Sequence, residues 1–198
     1  HHTYVDAAEN HTNIARGIAL LRSAGFNPSG FVAPLGRYNR GLSQVLEQLG
    51  VTHSSEFALA YDDWPCYPIG SRVLQLPIHP ICLGIVLEAA RREWDEGLDA
   101  QRRAADVMAE YFRWIATSKY QAGEPIFLYG HPDHRLGRWP HVLTTLFETI
   151  DEFAAVWRTT MTEFAQWWRE RQRVRFRVEA VADHYLVQGE QAGSGYRF

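Results

Sequence analysis

The sequence predicts an α/β fold, a sheet or barrel of parallel strands covered by helices. Two observations carry this expectation. Short apolar runs bounded by Gly or Pro, such as Gly30-Phe31-Val32-Ala33-Pro34 and Pro125-Ile126-Phe127-Leu128-Tyr129, read as buried strands. Between such runs lie stretches with apolar residues at helical spacing, as at Ile14, Ile18 and Leu21. Alternation of this kind argues for parallel strands, because each crossover helix covers a face of the sheet.

Taken in order, residues 9 to 24 read as a helix that Gly25 stops, and Gly30 to Pro34 as a short buried strand. Residues 41 to 49 are helical, and Gly50 closes them. Val51 to Ser55 is a second strand, Asp62-Asp63-Trp64-Pro65 a polar loop, and Val73 to His79 a third strand-like run. A long helical stretch covers residues 83 to 118, with Gly97 as a potential break. Pro125 to His131 is the clearest buried strand, Pro140 to Ile150 a helix, Ala154 to Trp157 another strand, and Thr162 to Gln172 a helix. After Arg173 the period changes to two, in Val174-Arg175-Phe176-Arg177-Val178-Glu179-Ala180 and then His184 to Val187. That reads as an antiparallel β unit. The expected division is therefore a domain over 1–172 and the start of a β-rich extension over 173–198.

Composition narrows the function classes. The 198 residues suit one domain with a sizeable core. A net charge of −3 offers no polycation to nucleic acid or anionic lipid. No apolar run approaches the roughly 20 residues of a membrane-spanning helix. Cys66 and Cys82 lack finger spacing and form no disulfide framework, so a reducing, cytoplasmic compartment is the expectation. There is no phosphate-cradling glycine loop, no Gly-x-Ser-x-Gly and no His-Glu-x-x-His. Nucleotide enzymes, elbow-type serine hydrolases and zincin proteases are thereby disfavoured.

The histidines carry the chemistry. His79 and His131 each follow an apolar strand and precede a proline. At the C-terminal end of a parallel strand an imidazole is placed for acid–base work or metal ligation; the plain alternative is a hydrogen bond to backbone. His2 and Asp6 are four apart, a spacing at which an imidazole and a carboxylate converge on one divalent cation if the segment forms a turn. Asp62 and Asp63 beside Trp64 suit either a sugar-contacting loop or an ordinary turn.

At this point the order of motifs resembles the polysaccharide-deacetylase (NodB-type) family. Gly30 to Asn39 resembles its Gly-Phe-Arg-x-Pro segment. Leu42 through Val51 and then Ser54-Ser55 is similar to the next family stretch, and Tyr61 to Pro65 to its Asp/Trp loop. Phe127 to Pro132, Gly137-Arg138 and Val156-Trp157-x-Thr159-Thr160-x-x-Glu163 are similar to the allantoinase-like branch. The resemblance implies a partial (β/α) barrel truncated at its N-terminus, without the Asp-Asp strand. It implies a hydrolase of non-peptide C–N bonds that removes acetyl groups from a carbohydrate or related amide, with a divalent metal, zinc, as cofactor. His2 and Asp6 take the metal-ligand positions, with Asp6 where the family has a second histidine, or else a shifted register puts Tyr4 there; His131, or else His79, takes the acid position. Pro34, Asp62, Asp63 and Trp64 fall on the substrate groove. One departure stands out: the family Arg before x-Pro is Val32 here. The alternative is therefore a barrel that has lost catalysis and serves as a carbohydrate-binding or scaffold module.

Overall fold

The computed structural model of the chain describes residues 6–56, 64–83, 97–132 and 136–190. They fall into two compact units, divided between Arg158 and Thr159.

The first unit opens with helix α1 (Ala7–Ser23), whose first turn is capped by Asp6; its Oδ1 accepts from the Ala8 amide at 2.6 Å. The chain then enters strand β1 (Gly30–Phe31) and a 3-10 turn (Pro34–Gly36). Helix α2 (Arg40–Gln48) follows, capped by the Asn39 side chain on the Leu42 amide. Leu42, Val45 and Leu46 recur at the spacing of one helical face and are buried against Ile14, Ala33, Val51 and Val73.

Strands β2 (His53–Ser54) and β3 (Leu74–Gln75) join β1 in a parallel sheet of order β1-β2-β3. Phe31 registers with Ser54 and Ser54 with Gln75. The mixed helix and parallel-strand architecture agrees with the α/β expectation. The strands are shorter than the apolar runs suggest. Pro77 and Pro80 lack the N–H that would continue the ladder of β3. Pairing nevertheless resumes beyond it: the His79 amide donates to the Phe127 carbonyl at 2.9 Å and the Leu83 amide to the Tyr129 carbonyl at 2.8 Å. Leu83 and Gly130 form a parallel bridge. Gly130 is needed there, because a Cβ would lie 2.7 Å from Leu136 Cδ1 and 3.0 Å from Leu83 Cβ. Residues 125–129 are thus extended but only half-buried, not the buried strand that their composition suggests.

Helix α3 (Gly97–Ala122) places Ala105, Met108, Ala109, Phe112 and Ala116 on one face. The alanines permit close approach of helix α4 (His141–Asp151), whose Val142 and Leu146 complete this core. At the end of α3, the Lys119 ammonium pairs with Glu124 Oε2 at 3.1 Å, although the lysine is only 8% exposed. The expected strand over 154–157 does not form. That stretch bends after α4, its side chains are exposed, and it joins no ladder among the described residues.

The second unit begins with helix α5 (Met161–Arg171). Thr160 caps it in a reciprocal box, with its Oγ1 accepting from the Glu163 amide at 3.2 Å and Glu163 Oε2 accepting from the Thr160 amide at 3.0 Å. Strands β4 (Arg175–Val181) and β5 (His184–Glu190) form an antiparallel hairpin in the register Val178↔Val187. Period-two alternation places Phe176, Val178 and Ala180 on one face with Tyr185 and Val187.

Candidate functional site

The C-terminal ends of β1, β2 and β3 meet in a buried polar ring that the sequence reading did not single out. Its centre is Glu56, 2% exposed, one residue past the Ser54-Ser55 strand end. Glu56 Oε1 accepts from the Ala33 amide at 3.1 Å, and Oε2 accepts from Gln75 Nε2 at 2.8 Å. Gln75 Nε2 also donates to Ser54 Oγ at 2.6 Å, and Gln75 Oε1 accepts from the Glu56 amide at 3.3 Å. No cation pairs with Glu56 among the described residues. Burial therefore pushes its carboxyl up, and the donated bonds of Ser54, Gln75 and Ala33 oppose that rise.

The ring ties two exposed segments to the sheet. The β1–β2 ladder ends where the Ser55 amide donates to the Phe31 carbonyl at 3.1 Å. The Glu56 carboxylate takes the next amide, that of Ala33, and the chain turns away at Pro34. Within the turn Leu35 has φ 61° and Gly36 φ 59°. Leu35 is 84% exposed, so no burial compensates its left-handed backbone. Gly36 sits where a Cβ would approach the Glu56 carbonyl oxygen to 3.1 Å. On the other side, Cys66 exchanges backbone bonds with Gln75, at 3.1 and 2.8 Å. That fixes the segment carrying Trp64, which is 47% exposed. Two predicted substrate-groove residues, Pro34 and Trp64, are thus anchored to neighbouring members of one ring. Asp62 and Asp63 lie outside the described residues.

The two candidate histidines part company. His131 is exposed and follows Gly130 at the end of the half-buried extended segment, with its ring 6.4 Å from that of Tyr129. His79 is not at a strand end, because pairing continues past it to Leu83. Its side chain is 3% exposed, Nε2 lies 2.9 Å from the Tyr111 hydroxyl, and Phe112 meets the ring edge-on. Burial, with the charge of Lys119 added, pushes His79 down to about 4, so it is neutral at pH 7. This environment is that of a core histidine packed against Tyr111 and Phe112 of α3.

Of the proposed metal ligands, His2 lies outside the described residues and Asp6 caps α1. Both cap bonds fall on Asp6 Oδ1, so Oδ2 of the exposed carboxylate takes no part in the cap. Among the described residues no group of three His, Cys, Asp or Glu side chains is arranged to hold a metal. A cavity of about 490 Å³ lies elsewhere, between α1 and the start of the sheet, lined by aliphatic residues such as Ile14, Leu21 and Val51 together with Phe31, Asn13 and Arg16. Among the described residues Arg16 is its one charged lining residue, with no carboxylate or imidazole beside it in the wall.

Glu56 and Gln75 were missed, although a local signal for them exists. A glutamine inside the apolar run Val73 to Ile78, and a glutamate directly after Ser54-Ser55, are polar residues where burial is expected. Such residues need each other.

No family model matches the sequence, and no curated protein matches it. The structure is similar to the crystal structure of a "putative polysaccharide deacetylase from Mycobacterium smegmatis", with a TM-score of 0.63 and 20% sequence identity. The likeness covers 85% of this chain and 59% of that one, so the chain spans under two thirds of the solved protein's length. At this identity the likeness establishes a deacetylase-like fold.

Proposed function

We propose that the chain is part of a hydrolase that removes acetyl groups from an N-acetylated carbohydrate, built on a NodB-type barrel of the allantoinase-like branch. The observation that carries this reading is a polar ring at the C-terminal ends of parallel strands, anchoring the exposed turn at Pro34 and the segment of Trp64, within a deacetylase-like fold. Ligands of parallel α/β folds bind at that end.

The protein's own residues have definable tasks. Trp64 offers an exposed aromatic face to a sugar ring. His131, exposed after its extended segment, delivers a proton to the amine leaving group. A divalent ion, zinc by the chemistry of an imidazole–carboxylate pair, would be held by His2 and Asp6 through Oδ2. When bound, such an ion lowers the pKa of coordinated water to about 7.

The test is acetate release from chitooligosaccharides by the full-length protein, after dialysis against chelator and after zinc is restored. Zinc-dependent release is expected. A folded protein that releases no acetate with zinc, cobalt or nickel overturns the reading.

A specific observation favours a second reading. Val32, which the resemblance sets at the family arginine, is an exposed aliphatic side chain and brings no cation to the site. A carbohydrate-binding module without catalysis would bind the oligosaccharide in calorimetry and show no heat of zinc binding at neutral pH.

A further inference from the structure

We infer that Glu56 is a positioning residue for the sugar site, acting with Gln75 as a strut that sets both the Pro34–Gly36 turn and the Trp64 segment. This rests on the deacetylase reading and adds to it residues that touch no substrate.

The geometry assigns the role. One carboxylate replaces the missing ladder partner of β1, through the Ala33 amide, and bonds to β3 through Gln75. Gln75 in turn holds Cys66 by two backbone bonds. The turn that Glu56 restrains is strained at Leu35, and strain of this kind persists only where the surroundings over-determine it. The Glu56 carbonyl against Gly36 supplies a second point of contact. Without the carboxylate, the Ala33 amide loses its acceptor in a site only 2% exposed, and the turn is free to relax.

Donor and acceptor counting gives a sharp test. In Glu56→Gln the new amide faces the Gln75 amide, donor against donor, and no rotation of either group satisfies all four bonds. In the exchanged double variant, Glu56→Gln with Gln75→Glu, every bond is restored. Gln at 56 accepts from Ala33 and donates to Glu at 75. That carboxylate accepts from the residue-56 amide and from Ser54 Oγ.

The experiment measures kcat and KM for acetate release from a chitooligosaccharide by full-length zinc-loaded protein. Glu56→Gln is expected to raise KM about tenfold and leave kcat within about threefold, because the turn and Trp64 hold the sugar and do not react. The exchanged variant is expected to return KM to within about twofold of wild type. A fold defect alone lowers the active fraction, hence kcat, and leaves KM untouched. If Glu56→Gln does not fold, the exchanged variant still decides: a wild-type KM supports the strut, and a raised KM overturns it. An unchanged KM in folded Glu56→Gln also overturns it. Absence of turnover in wild type is a different failure, that of the deacetylase reading, and removes this role with it.

Discussion

Replacing His79 by Gln should reverse the order of stability between neutral and acid pH. In the folded state the imidazole titrates near 4, against 6.5 for an ordinary histidine, because it is buried beside Phe112 and lies in the field of Lys119. The unfolded chain therefore takes up the proton first. Stability from the neutral ring is present in full above pH 6.5 and is lost as pH falls from 6.5 towards 4. At 1.36 kcal/mol per pH unit the ceiling is about 3 kcal/mol, and relaxation and water penetration around the charged ring reduce it to about 2 kcal/mol. Gln is neutral throughout, is of similar volume and can still hydrogen-bond the Tyr111 hydroxyl. It forfeits the ring contacts, at a cost of about 1 kcal/mol. Urea unfolding should find His79→Gln about 1 kcal/mol less stable than wild type at pH 7, and more stable than wild type by about 1 kcal/mol at pH 4.5. The remaining titrating groups are common to both proteins, so the difference curve isolates this ring. Parallel curves from pH 7 to 4.5 would refute the assignment of a buried neutral histidine.

Three further outcomes follow from local geometry. Leu35→Gly should raise stability by about 1 kcal/mol in thermal or urea unfolding, since glycine adopts φ near 60° without the Cβ clash and the leucine is exposed. Thr160→Ala should destabilise α5 by about 1 kcal/mol, seen as faster amide exchange in its first turn, because the Glu163 amide loses its acceptor. Asn10→Leu should stabilise the first unit by about 1 kcal/mol in denaturant titration. Its side chain is fully buried and neither polar atom has a partner among the described residues.

How much was readable beforehand depended on whether the signal was local. Helices α1, α2 and α5 were, since apolar spacing and glycine stops act within a turn or two, whereas Asp6 read as a metal ligand and Asn39 as part of a loop segment until the structure placed both as caps. The strand positions were legible but not their lengths, because Pro77 has no N–H to continue the ladder of β3 with β2, and the chain goes on to pair with a different segment at His79 and Leu83. The apolar quartet Ala154-Ala155-Val156-Trp157 misled, since composition cannot say whether a ladder is available to receive it. His79 and His131 share the same local pattern, a strand then a proline, yet one is buried and one exposed. What separates them is continued pairing to Leu83 and the arrival of Tyr111 from α3, both long-range facts. The Glu56–Gln75 ring is likewise a product of tertiary register.

Lys119 is the only lysine of the 198 residues, and it sits almost closed off in its pairing with Glu124. A lysine-specific endoproteinase consequently has one bond to cut, after Lys119, and that bond lies in the last turns of a folded helix. The appearance of two fragments over time becomes a clock for the fraying of that helix, readable on an ordinary gel without any introduced label.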